Sequence, residues 1–219
     1  AYTLKPTWDK QSNADYYEIE FDGMIYSTIQ NNHLTFTGLV PETTYSYKIR
    51  SVNKDGVSQW DSYTATTKSN PLEFAIQNIT AETSVKNQGG QGINKLFNFD
   101  EGDAWNTSWS EKAVPFNIII NLNSVNHLDK MEYRPRTDGG NGILLTGSIY
   151  TSVDCENWVK AGDFKWDRSS TVKTYTFDNQ PVAQYVKIDV TSAVGNYGSG
   201  RELYIFKVPG SESYRPGDI

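Results

Sequence analysis

Four oxygen-bearing side chains crowd one short stretch of the chain: Asn98, Asp100, Glu101 and Asp103 lie around Gly102. A hard divalent cation such as calcium takes about six to eight oxygens from carboxylates, amides and carbonyls, so the stretch carries donors of the right kind. The spacing is not that of an EF-hand, which needs an Asp-x-Asp-x-Asp-Gly run closed by Glu. An acidic turn facing water accounts for the same residues equally well. The stretch runs into two tryptophans four residues apart, Trp105 and Trp109. On an extended chain that spacing points both to one side, with one free to enter a core and the other to stand at a loop tip. An exposed indole face can meet the apolar face of a sugar ring. Arg136 and Asn141, in the run Tyr133 to Gly142, carry the directional donors and acceptors that hydroxyls need. Two buried tryptophans and a surface ion pair at Arg136 are the competing reading. A third run, Gly195 to Leu203, adds Tyr197 and Glu202.

No other chemistry presents itself. Cys155 is the one cysteine, which excludes an internal disulfide, and no histidine lies near it in sequence to activate it as a nucleophile. His33 and His127 stand apart and read as surface residues. Carboxylates are plentiful, but no pair can be assigned to a cleft, so the chain reads as non-catalytic. The formal net charge of -6 argues against a nucleic-acid partner, whose phosphates need a basic face. No apolar run approaches the ~18–20 residues of a membrane span. The loops are polar and acidic where a membrane-docking surface would need apolar spikes among basic residues.

The elements that must hold these loops are strands. Apolar residues alternate at Tyr17, Ile19 and Phe21, and again at Tyr45, Tyr47 and Ile49. Asp22-Gly23, Asn31-Asn32, Pro41-Glu42 and Asp55-Gly56 mark turns between them. Strands are expected near residues 3–8, 15–21, 24–29, 34–37, 44–53 and 59–67, enough for a small sandwich. Lys68-Ser69-Asn70-Pro71 breaks the pattern, because proline lacks a ladder donor and restrains its predecessor. A linker is therefore expected at 69–72, between modules at 1–68 and 73–210. In the second module Phe116 to Leu122 forms a long apolar run fit for a central strand. Alternation returns at Met131 and Tyr133, at Ile149, Thr151 and Val153, at Val186, Ile188 and Val190, and at Leu203 and Ile205. About eight strands of this kind predict a jelly-roll-like sandwich.

Two resemblances add to this reading. Trp8, Tyr17, the run Leu39-Val40-Pro41-Glu42-Thr43-Thr44-Tyr45, and Ser51 to Gly56 before Val57 and Trp60 together resemble a fibronectin type III module over residues 1–68. That resemblance implies an Ig-like sandwich with Trp8, Tyr17 and Leu39 in its core, Tyr45 in a tyrosine corner, and a spacer role. The run Leu96 to Ser110 is similar, without a gap, to the Leu-Phe-Asp-Gly-Asp-Pro-Asn-Thr-x-Trp-His-Thr-x-Trp-Ser segment of discoidin, or coagulation factor 5/8 type C, domains, and in particular to carbohydrate-binding module family 32. Pro135 to Gly142, Tyr150 to Trp158 and Glu202-Leu203-Tyr204 belong to the same pattern. This resemblance implies a galactose-binding-like jelly-roll β-sandwich over 73–210.

The second resemblance also implies a structural calcium, with Asp100 and Asp103 in the first loop and Glu202 from the last strand as side-chain ligands. Asn98 stands where the family has Asp, and Asp103 where it has Thr; both exchanges keep an oxygen donor. It further implies a shallow sugar site in which Trp109 and Tyr197 present aromatic faces and Arg136 and Asn141 bind hydroxyls. Asn106 stands where galactose-binding members carry His. The implied function is binding of galactose or N-acetylhexosamine in host glycans, bringing the catalytic domain of an appended glycoside hydrolase to its substrate. The alternative is a structural or protein-interaction module without a sugar site. A bacterial protein that is secreted, periplasmic or on the cell surface, and monomeric, is expected. Pro216 to Ile219 resembles the opening of a dockerin-like calcium repeat in a tail spanning 211–219.

Overall fold

Alternation with a period of two turns into strand in both halves of the chain. The computed structural model describes residues 2–214, and the chain divides into two units, Ala1–Glu73 and Phe74–Ile219. The dockerin-like resemblance falls at 216–219, outside the described residues. Both units are antiparallel, and the helices among the described residues are two 3-10 turns, Ile93–Leu96 and Val194–Asn196. No helix there is long and apolar enough to cross a membrane.

The first unit contains β1 (Tyr16–Phe21), β2 (Met24–Ile29), β3 (Thr44–Asn53), β4 (Gly56–Val57) and β5 (Asp61–Thr66). β1 lies between β2 and β3, and β3 also pairs with β4 and β5. Asp22 and Gly23 both have positive φ (49° and 76°), the tight turn that twists a hairpin the right way. Tyr17, Ile19 and Phe21 point inward from β1, and Phe21 stacks on Phe36 with centroids 4.0 Å apart. The stretches 3–8 and 34–37 pair only through the isolated bridges Leu4–Phe36 and Thr7–His33. Leu4 and Phe36 exchange both backbone bonds, but at the next such position Pro6 accepts from Leu34 and has no N–H to return. The hydroxyl of Tyr45 accepts the Val40 N–H at 2.9 Å, closing the corner. Trp8 is half-buried, edge-on to Tyr17 at 5.4 Å, and Leu39 packs at the margin of the core.

The second unit contains β6 (Thr80–Thr83), β7 (Trp105–Asn106), β8 (Phe116–Arg134), β9 (Leu144–Ser152), β10 (Val159–Lys165), β11 (Lys173–Thr176), β12 (Val182–Ala193), β13 (Ser199–Gly200), β14 (Glu202–Lys207) and β15 (Ser213–Tyr214). The expected central strand is the first part of β8, which runs on for 19 residues. Its first half pairs with β6 and β12, and its second half with β11 and β14. The change of partners falls near Asn123, whose φ of 55° is tolerated by Asn more readily than by most residues. There the alternation that buries Phe116, Ile118, Ile120 and Leu122 slips, and Val125, Leu128, Met131 and Tyr133 become the buried set.

One core joins Ile118, Ile120, Ile149, Val186 and Ile188 with Met131, Tyr133, Leu203 and Ile205, so the two halves of β8 face each other across a sandwich. β14 is covered on both sides, since Tyr204 and Phe206 are as buried as Leu203 and Ile205. Ala75 bridges to Phe206, and Phe99 leans on the Tyr204 ring at 5.2 Å. Val153, expected to alternate inward, lies just past the end of β9 and is exposed.

Gly147 on β9 marks the tightest approach between backbone and core. A Cβ there would lie 2.2 Å from the Asp189 carbonyl oxygen and 2.6 Å from the Phe164 ring. Gly147→Ala is therefore expected to lower the unfolding free energy by about 1–3 kcal/mol. The check is a fall in the urea midpoint with an unchanged slope.

Candidate functional site

The loops at one end of the second unit are fastened by a two-strand ladder in which Asn106 pairs with Ser199 and Trp105 with Gly200. Small residues make that approach possible. A Cβ on Gly198 would meet Phe116 and Trp105 at 2.6 and 2.7 Å, and one on Gly200 would meet Tyr133 and Leu96 at 2.6 and 2.7 Å. Trp105 is fully buried, edge-on to Phe116, and its indole N–H donates to Asn87 Oδ1 at 2.8 Å. Trp109 is 59% exposed. The two tryptophans do not share a side, because strand ends at Asn106 and the chain turns at Trp109. The Trp109 N–H is held by Gln88 Oε1 at 3.1 Å.

Asn106, Trp109, Arg136, Asn141 and Tyr197 line one shallow cavity of about 330 Å³, together with Asp138. Arg136 grips Asp138 through Nε (3.2 Å) and Nη2 (2.7 Å), and its Nη1 reaches Asn106 Oδ1 at 3.5 Å. The guanidinium beside Asp138, helped by the Gly140 N–H, holds its carboxyl down at about 2. Asn106 is buried, whereas Asn141 is exposed. Gly195, with φ of 68°, lies against Asn141: an added Cβ would come within 2.4 Å of its Oδ1. Lys112 sits over the Tyr197 ring at 4.3 Å and donates to the Gly195 carbonyl at 3.0 Å. Asp138 and Lys112 escaped the sequence reading. The Asp138-Gly139-Gly140 turn carried a legible signal for the first, while Lys112 is distant from Tyr197 in sequence and carried none.

The acidic stretch folds back on itself and onto β14. Asn98 accepts the Asp100 N–H through Oδ1 at 3.0 Å and donates through Nδ2 to both oxygens of Asp103 at 3.2 Å. Lys95 pairs with Asp103. Glu101 lies against Arg201 at 3.0 Å and Arg134 at 3.6 Å. The Asp100 carboxylate turns to the Gly102 N–H at 2.8 Å, and its own N–H donates to Glu202 Oε1 at 2.9 Å. Asp100 thus meets Glu202 with its backbone. Glu202 is fully buried, and desolvation pushes its carboxyl up to about 7. Its Oε2 is buried without a hydrogen-bond partner. Among the described residues no three His, Cys, Asp or Glu side chains converge as a metal-holding group.

The two tryptophans should separate cleanly on substitution. Trp105→Ala is expected to cost about 3–5 kcal/mol through the cavity it leaves. Trp109→Ala, with no core to disturb, should stay within about 0.5 kcal/mol of the parent. Chemical denaturation of both variants is the check.

Residues 78–203 match the model of the F5/8 type C domain, and residues 2–67 that of the fibronectin type III domain. Among solved structures, the chain is similar to the first family 32 carbohydrate-binding module of a family 31 glycoside hydrolase from Clostridium perfringens. The identity is 21% and the TM-score 0.58, covering 63% of this chain and all of that one. It is also similar to the family 32 module of C. perfringens NanJ, solved with galactose (25% identity, TM-score 0.57, 61% of this chain and 98% of that one). A third is the fifth family 32 module of a C. perfringens family 89 glycoside hydrolase, solved with GalNAc-β-1,3-galactose (27% identity, TM-score 0.56, 60% and 99%). A curated relative, an A type blood N-acetyl-α-D-galactosamine deacetylase from Flavonifractor plautii, is 23% identical over 167 residues, or 74% of this chain. The chain spans about a fifth (21%) of that relative's length.

Proposed function

The chain belongs to the F5/8 type C domain family, and from that premise we propose that its second unit is a non-catalytic carbohydrate-binding module for galactose- and N-acetylhexosamine-type glycans. The observation that carries the reading is Trp109, an exposed indole in a cavity whose other walls are Arg136, Asn106, Asn141 and Tyr197. The indole face covers the C–H side of a pyranose, while guanidinium and amide groups meet its hydroxyls in fixed directions. Arg136 is already immobilised by Asp138, which lowers the entropic cost of each bond it makes to ligand. Asn106 can both donate and accept, so the absence of His at that position leaves a hydroxyl partner in place. The ligands solved with the two modules at 25% and 27% identity, galactose and GalNAc-β-1,3-galactose, support the sugar class.

A shallow site of this size binds weakly, with a Kd of about 0.1–1 mM. Its use lies in raising the effective concentration of a linked catalytic domain at a glycan surface outside the cell. The first unit serves as spacer. A relative several times longer than this chain fits such an arrangement.

Calcium fits at one place. The buried, unpartnered Oε2 of Glu202 is a carboxyl oxygen in want of a cation, and it would hold the ion beside the loop whose Asp100 N–H its Oε1 accepts, while Asp103 stays paired with Lys95. When bound, the ion supplies positive charge that neutralises Glu202 and stiffens this loop against β14.

The test is a calorimetric or NMR titration with galactose and N-acetylgalactosamine in calcium. Saturable binding in the stated range, abolished in Trp109→Ala, is expected; a folded protein that binds neither sugar sinks the proposal. Calcium at about 100 times its Kd should stabilise the unit by about 2.7 kcal/mol. In Glu202→Gln, melting should become indifferent to calcium or chelator.

A further inference from the structure

We infer that a glycan seated at Trp109 extends into a second subsite on the far side of the Arg136–Asp138 pair, which takes a neutral sugar residue; this rests on the carbohydrate reading of the first cavity. A cavity of about 430 Å³ lies there, and Asn106, Arg136 and Asp138 line both it and the Trp109 cavity. Both volumes fall within or near the lower part of the range for small-ligand sites, about 300–1,000 Å³. The two cavities adjoin at this shared wall, which a chain of two sugars would cross.

The lining of the second cavity specifies the ligand class. Three cations and three carboxylates line it, and each cation is paired: Lys95 with Asp103, Arg201 with Glu101 at 3.0 Å, and Arg136 with Asp138 at 2.7 Å. Charge sums to zero, and no arginine or lysine is left over to hold a sulfate or carboxylate. Paired groups keep spare donors and acceptors, since a guanidinium has five N–H bonds and a carboxylate about four lone-pair sites. Arg201 spends Nε on the Pro135 carbonyl and Nη1 on Glu101. These two partners fix the guanidinium in the wall of the cavity. No aromatic ring lines this cavity, so the second residue is held by hydroxyl hydrogen bonds without stacking. The arrangement matches a polyhydroxylated, uncharged ring.

Calorimetry with galactose, N-acetylgalactosamine, GalNAc-β-1,3-galactose and a sulfated form of that disaccharide tests this. The neutral disaccharide should bind about fivefold or more tighter than either monosaccharide, the worth of one or two net hydrogen bonds. Thr137→Trp, which fills the second cavity from its exposed rim, and Arg201→Gln should each remove that gain and leave the monosaccharide affinities within about twofold. Equal affinities for monosaccharide and disaccharide, or a gain that survives both substitutions, would overturn the second subsite. Tighter binding of the sulfated disaccharide would overturn its neutral character. Failure of every sugar would instead remove the carbohydrate reading on which the inference rests.

Discussion

The burial of Trp105 is the constraint on which the loop end of the second unit depends. Its ring has none of its surface in water, its edge meets Phe116, and its N–H is satisfied by Asn87. Apolar burial of a ring this size is worth several kcal/mol, and the matched hydrogen bond removes the penalty of a stranded donor. Everything around the cavity is referenced to that anchor. Asn106 follows it in β7, Trp109 stands in the next turn, and Gly198 and Gly200 bring β13 close enough to pair. The exposed residues of the site can then be chosen for what they touch in solution, because the shape of the loops is set from beneath.

A second level of order comes from charge pairing. Exposed ion pairs contribute little to stability, and those around the two cavities are largely of that kind. Their effect is on direction: Arg136 is fixed by two bonds to Asp138, and Arg201 by Glu101 and a carbonyl. Glu202 is the exception. It is buried, it joins a loop to a strand across 102 residues of sequence, and one of its oxygens is unsatisfied. A lone buried carboxylate is costly unless a proton or cation offsets it.

Much of this was legible in the sequence. Period-two alternation located the strands, and the spacing of turn residues separated them. The residues proposed for the sugar cavity come from three separated parts of the chain and line one space. What escaped had physical reasons. The tryptophan pair divides into one core and one exposed ring as read, but the extended backbone assumed for it stops short of Trp109, which lies in a turn. Pro6 withdrew a single donor and reduced a strand to bridges. On β14 the alternation marked Leu203 and Ile205, but Tyr204 and Phe206 are buried as well, with Phe99, from a long way off in sequence, against the Tyr204 ring. The acidic stretch was read as potential oxygen ligands or a solvated turn, and neither reading foresaw that Asp100 reaches Glu202 through its peptide N–H or that Glu101 is taken up by Arg134 and Arg201. Lone residue types do not reveal which atoms of a turn will face inward.

The pairing of β7 with β13 also orders events in time. Trp105 and Asn106 leave the ribosome long before Ser199 and Gly200, and β14, which carries Glu202, comes later still. Closing so wide a loop is entropically costly and is repaid only by contacts made at the end. While about 90 intervening residues are synthesised, at about 5–20 per second, the nascent chain holds Trp105 with no partner strand and Trp109 with no cavity. The first unit has by then been available to fold for several seconds. The ligand-facing loops therefore cannot close until residues 199 and 200 have been made, and a ribosome stalled before residue 199 displays an unclosed aromatic loop in place of a finished module.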